Sequence, residues 1–113
     1  GNHDYGGYKF NAAWDQVISY TWHPGSRWMT PAQYWRVKVH YPGFSVDYFF
    51  ADTNFYDASN PAADPSHNLC NSVHNFDNKS CGAEGPSSVG DCPGWFGRLW
   101  GAQSSWLRGA PGT

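Results

Sequence analysis

Tyr34-Trp35-Arg36-Val37-Lys38-Val39-His40-Tyr41-Pro42-Gly43-Phe44-Ser45-Val46-Asp47-Tyr48-Phe49-Phe50-Ala51 is the stretch on which the fold turns. Over 34–40, Trp35, Val37 and Val39 alternate with Arg36, Lys38 and His40, the period of two that a strand imposes. Tyr41-Pro42-Gly43 then reverses the chain. Over 44–51, Phe44, Val46, Tyr48 and Phe50 alternate with Ser45 and Asp47. Phe49 and Ala51 make the end of this second strand apolar on both faces. The pattern predicts an antiparallel hairpin with one buried face, its second strand running into a covered sheet.

On the C-terminal side, 54–93 has little periodicity and many Asn, Ser, Asp, Gly and Pro residues. So long an irregular segment is unusual in a small domain, and reads as a stapled functional loop or as a sign of scaffold outside this stretch. Cys70, Cys81 and Cys92 lie within it at intervals of eleven residues. They are disulfide candidates with three possible pairings, and one thiol is always left over. Asn78-Lys79-Ser80 fits the N-glycosylation pattern, which suits an exposed loop. His67, Cys70 and His74 have ligand-like spacing but no apposed fourth donor, so a polar surface loop is the favoured reading over a metal site. Beyond the loop, Trp95, Phe96, Leu99, Trp100, Trp106 and Leu107 form a stripe at helical spacing. This predicts an amphipathic helix with three tryptophans on its buried side. A sugar-stacking platform is the weaker alternative, because helical periodicity favours core packing.

On the N-terminal side, Asn11 is a candidate N-cap for a helix over 12–20, with Trp14, Val17, Ile18 and Trp22 on one stripe. His23-Pro24-Gly25 ends it. His23 and His40 are both expected to be solvated. Gly1 to Gly7 reads as a loop.

Composition narrows the function. With 113 residues and 12.6 kDa the chain is at most one ordinary domain. Seven Lys and Arg against nine Asp and Glu give a net charge of −2, which excludes a basic nucleic-acid-binding module. No apolar run is long enough for a membrane span. No basic region followed by an apolar run opens the chain, so no signal peptide is expected at its start. Low charge, 19% aromatic residues and abundant Gly, Pro and Asn describe a rigid, loop-rich, extracellular type of protein.

Gly1-Asn2-His3-Asp4 is the segment with mechanistic content. The Asn2 carboxamide oxygen is a hard donor suited to a divalent or trivalent ion. An imidazole such as His3 can protonate a leaving oxygen or stabilise charge on a phosphoryl group. A neighbouring Asp4 can fix its tautomer. The alternative is a polar N-terminal stretch without chemistry.

Around that tetrapeptide the sequence resembles the purple, tartrate-resistant acid phosphatases among the calcineurin-like metallophosphoesterases. The resemblance runs through Gly1-Asn2-His3-Asp4-Tyr5, the helix ending near Tyr20, Arg27-Trp28 with Pro31, Tyr34-Trp35-Arg36-Val37, Phe50-Ala51-Asp52-Thr53, and Gln103 with Ser105-Trp106-Leu107. It covers about two-thirds of the chain in collinear order; 54–93 is similar only loosely, as an insertion would be.

The resemblance implies an α/β fold, locally α+β: part of a β-sandwich flanked by helices, with 1–113 a single partial domain. It implies a dinuclear metal centre of iron with iron, zinc or manganese, in which Asn2 is a ligand, His3 contacts the phosphate and assists the leaving group, and Asp4 orients His3. The family's other ligand blocks, with Asp-x-His, Gly-Asp, Gly-His and Gly-His-x-His motifs, do not occur in the stretch and are expected outside it. The function implied is that of a fragment of a secreted or lysosome-like metal-dependent acid phosphatase acting on phosphate monoesters. Its expected partner is the remainder of its own domain. The other expectation is a non-catalytic, phosphatase-derived structural or glycan-binding component of a larger extracellular assembly.

Overall fold

A computed structural model of the chain describes residues 5, 8–10, 18–76 and 85–109. Among these, the order is a helical turn α1 (Ser19–Thr21), strands β1 (Trp35–Tyr41) and β2 (Phe44–Phe50), 3-10 turns at Asn54–Asp57 and Pro65–His67, and helix α2 (Cys92–Gly109). The architecture is a small α+β arrangement of helix and a two-stranded antiparallel sheet.

The hairpin forms as its alternation predicts, with Trp35 opposite Phe50, Val37 opposite Tyr48 and Val39 opposite Val46. Pro42 fixes its own φ near −65°, which excludes the mirror-image turns that usually close hairpins. Gly43 absorbs the constraint at φ 84°. The expectation of one buried face is corrected. Phe44, Tyr48 and Phe50 are exposed, and only the valines and Trp35 on that face are half-buried. Trp35 and Phe50 shield each other instead, their rings stacked at 3.9 Å. Helix α2 reaches the sheet from the opposite face, where Trp106 packs on Phe49 and Tyr34. Phe49, on the face that also carries Arg36, Lys38 and Asp47, meets Trp106 of α2.

Helix α2 begins three residues before the predicted stripe. Pro93 is tolerated there because a first-turn residue has no intrahelical N–H bond to lose. Its fully buried line is Cys92, Phe96 and Gln103. The three tryptophans lie half-buried beside it: Trp95 packs edge-on against Phe96, Trp100 meets Phe55 and Tyr56, and Trp106 meets the hairpin. Every tryptophan of the stripe is therefore engaged in packing.

The irregular segment supplies much of the core. Ala58, Leu69 and Cys70 join Tyr5, Phe10, Cys92 and Phe96 in one buried cluster. Cys70 and Cys92 are joined as a disulfide, their Cα atoms 5.4 Å apart, which settles which of the three pairings forms. Closing a loop of 22 residues restricts the unfolded chain by about 3 kcal/mol. Cys81 lies outside the described residues, as do Asn11, Trp14, Val17 and the glycosylation candidate Asn78. Trp22, expected on a helical stripe, is instead the residue that caps α1 and is 71% exposed. Ile18 is buried as that stripe required.

Candidate functional site

The tetrapeptide residues Asn2, His3 and Asp4 lie outside the described residues, but Tyr5, which directly follows them, does not. Tyr5 is buried to 2% exposure, its ring edge-on to Phe96 at 5.8 Å. Its hydroxyl donates to Asp52 Oδ2 at 3.2 Å across 47 residues of sequence. Asp52 follows β2 by two residues, where the chain leaves the sheet.

Four further bonds fix Asp52 itself. Its Oδ1 accepts from the Asn54 backbone N–H at 2.8 Å and from Asn54 Nδ2 at 2.6 Å. Its backbone N–H donates to Gln103 Oε1 at 2.6 Å. Gln103 Nε2 donates in return to the Asp52 carbonyl at 2.9 Å. A carboxylate with donors on both oxygens is an anchor rather than a free base. Asp52 thus ties together the end of β2, the 3-10 turn, helix α2 and the N-terminal stretch.

A second tie lies a few residues on. Asn75, buried to 1% exposure, accepts from the Phe10 N–H at 3.1 Å through Oδ1. Its Nδ2 donates to the carbonyls of Tyr8, Leu69 and Asn71. Tyr8 has φ 63°, a left-handed conformation that costs a non-glycine residue about 1–2 kcal/mol. Its ring lies between His67, edge-on at 5.6 Å, and His74, stacked at 5.7 Å. The N-terminal stretch is therefore held at Tyr5 and again at residues 8–10.

Neither histidine is placed as a metal ligand alongside Cys70, whose sulfur is spent in the disulfide. His67 is paired with Asp64, and His74 Nε2 lies 2.8 Å from the Ser66 carbonyl oxygen. His23 and His40 are exposed as expected, their Nδ1 atoms 3.3 Å from the Pro24 carbonyl and 2.9 Å from the Ser45 hydroxyl. Among the described residues no group of three or more His, Cys, Asp or Glu could hold a metal ion. The described side chains therefore do not build the dinuclear centre that the resemblance implies.

Among the described residues, two groups are electrostatically perturbed. The Ser87 backbone N–H, with help from the Arg98 guanidinium and the Ser87 hydroxyl, holds the Asp91 carboxyl below the usual carboxylate range. A hydrogen bond with the Tyr48 hydroxyl, 3.1 Å away, raises the Tyr41 phenol above its ordinary value. Neither belongs to the Asp52 cluster.

Sequence reasoning missed the structural weight of Asn75 and Gln103. Gln103 had a readable signal: it lies seven residues after Phe96 and four after Leu99, so a polar residue occupies a core position of α2. Asn75 had none, since its partners are fixed only by the tertiary fold. No helix among the described residues is long and apolar enough to cross a membrane. Compared with protein-family models, curated proteins and solved structures, the chain matches none.

Proposed function

We propose that this chain is part of an extracellular or lysosome-like, metal-dependent acid phosphatase of the purple type, hydrolysing phosphate monoesters, with its sheet completed into a sandwich by chain outside this stretch. The observation that supports it is the Tyr5–Asp52 bond. It joins the residue after the Asn2-His3-Asp4 segment to the end of a strand, at the Asp-Thr pair on which the resemblance rests. A disulfide is compatible with an oxidising compartment.

In this reading the Asn2 carboxamide oxygen is one metal donor, and the other donors come from sequence flanking 1–113. Two metal ions, when bound, would supply an activated hydroxide and neutralise the phosphoryl oxygens. This chain's part is to present the His3 imidazole to the leaving oxygen, to hold that ring through Asp4, and to fix the segment through Tyr5.

The test compares two proteins. The 113 residues alone, supplied with iron, zinc or manganese, are expected to turn over no phenyl phosphate ester. The same stretch expressed within its full reading frame is expected to do so, and to lose the activity on Asn2→Ala. Robust turnover by the chain alone, or none by the full protein, overturns the reading.

A second reading, a non-catalytic structural or glycan-binding component of a larger assembly, draws on one observation. Tyr20, Trp22, Trp28 and Met29 crowd one short stretch and are all exposed. Glycan binding that survives Asn2→Ala, in a full-length protein without phosphatase activity, favours this second reading.

A further inference from the structure

Residues 20–29 form a loop that belongs to neither the Asp52 nor the Asn75 tie. The chain turns at His23-Pro24-Gly25-Ser26, where the Ser26 N–H donates to the His23 carbonyl at 3.0 Å and Gly25 has φ 77°. Proline followed by a glycine of positive φ is the pattern of a type II turn. The neck is closed by the Thr30 N–H, which donates to the Thr21 hydroxyl at 2.8 Å. Between neck and tip, the N–H groups of Trp22, His23 and Trp28 donate to the Ser19 carbonyl, the Tyr20 carbonyl and the Ser26 hydroxyl. These donors are spent locally, so the loop's own hydrogen bonds set its shape.

What the loop displays is apolar. Trp22 is 71% exposed, Met29 60%, Tyr20 59% and Trp28 48%. The Thr30–Thr21 bond draws the two sides of the loop together, so Trp28 and Met29 on one side lie near Tyr20 and Trp22 on the other. Charge is divided along the chain as well. Residues 16–46 contain Arg27, Arg36 and Lys38 and no Asp or Glu, and all nine acidic residues lie outside that stretch. Arg27 adjoins Trp28 and is exposed, and no ion pair among the described residues engages it.

We propose that loop 20–29 is a membrane-surface anchor. It seats Trp22, Trp28, Met29 and Tyr20 in the headgroup boundary of a bilayer that carries anionic lipids, with Arg27 on the headgroup charge. Trp and Tyr suit that boundary because each joins an apolar ring to a polar edge. Met29 adds an adaptable apolar body. Backbone N–H groups that leave water need other partners, and here the loop already supplies them. A cation without a protein carboxylate is available to anionic headgroups. The preformed shape lowers the ordering cost of binding.

A carbohydrate fits the same loop less well. Sugar hydroxyls are held by side chains that both accept and donate beside an aromatic face, chiefly Asp, Glu, Asn and Gln, and 17–32 contains none of these. The Tyr20 ring is also stacked on His23. The inference does not depend on the Asn2 chemistry, because vesicle binding is measured without substrate.

The protein in its full reading frame is mixed with phosphatidylcholine vesicles, with or without phosphatidylserine, and bound protein is separated by flotation. The expected result is flotation that is stronger with phosphatidylserine and falls as salt is raised. Trp22→Ala and Trp28→Ala each weaken it about tenfold or more. Arg27→Gln weakens binding to phosphatidylserine vesicles about fivefold and leaves binding to phosphatidylcholine alone unchanged. Tyr56→Ala, at an exposed aromatic outside the loop, leaves flotation unchanged. The substituted loop residues are exposed, and circular dichroism checks that every variant folds. No flotation with either vesicle, or flotation undiminished by both tryptophan variants, overturns the proposal. So does retention on an immobilised polysaccharide, lost on Trp22→Ala, by protein that does not float.

Discussion

Gln103 holds Asp52 by both ends of its peptide group's hydrogen-bonding capacity: its carbonyl takes the Asp52 N–H and its amide gives to the Asp52 carbonyl. A glutamine thus takes the place of a neighbouring strand two residues beyond the end of β2. Because Gln103 is completely buried, neither bond can be handed to water.

Gln103→Leu keeps the volume and deletes both bonds, stranding a part-buried N–H and C=O on Asp52. The expected cost is about 2 kcal/mol or more, read as a fall in Tm of roughly 10 °C. A change within about 0.5 kcal/mol in urea or thermal unfolding would show that this amide does not fasten α2 to the sheet's end.

Tyr5→Phe separates the hydroxyl from the ring. The ring's packing on Phe96 survives, so the loss is that of one hydrogen bond to a carboxylate, about 1–2 kcal/mol. Tyr5→Ala also empties a core site and is expected to cost about 3–5 kcal/mol. In a double-mutant cycle, Tyr5→Phe combined with Asp52→Ala should show coupling of about 1 kcal/mol. Strict additivity would mean that the two side chains do not hold each other.

How far the sequence announces these features depends on the range over which each is determined. The hairpin and α2 are legible because strand and helix periods are local properties of 35–50 and 95–107. Which hairpin face is covered is not local. Phe44, Val46, Tyr48 and Phe50 advertise a core face, but coverage depends on where Trp106 arrives, and it arrives at Phe49. Leu69, Ala58 and Asn75 carry no period, because irregular backbone points side chains inward one at a time. Asp52 was recognisable only as part of a strand-end pair, and its partners Tyr5 and Gln103 lie 47 and 51 residues away. The Asn2-His3-Asp4 segment is visible in sequence as chemistry, while its attachment through Tyr5 is a tertiary fact.

The disulfide makes a chemical prediction. A non-reducing digest should link the peptides containing Cys70 and Cys92, and reduction should cost about 3 kcal/mol of stability. Both sulfurs belong to the buried cluster, so Cys70→Ser with Cys92→Ser also places polar atoms in the core and should destabilise further than reduction does. A digest linking Cys81 to either partner would require a different arrangement of the whole irregular segment.

Acid should act on the start of α2 through Asp91. Its carboxylate accepts from the Ser87 N–H at 3.0 Å and pairs with Arg98 at 3.0 Å, and its carbonyl receives the Trp95 N–H at 2.9 Å. The first two contacts favour the ionised form, which is why its carboxyl lies below the usual range. A group whose folded value is depressed gives its full stabilisation above the unfolded value of about 4, and loses it as pH falls through the folded value. The unfolding free energy should therefore decline below about pH 4, and Asp91→Asn should flatten that decline while lowering stability at neutral pH. Arg98→Met removes one of the two stabilising contacts and should give an intermediate slope. A wild-type profile that rises on acidification, or an Asp91→Asn variant as acid-sensitive as the parent, would place the acid response elsewhere in the chain.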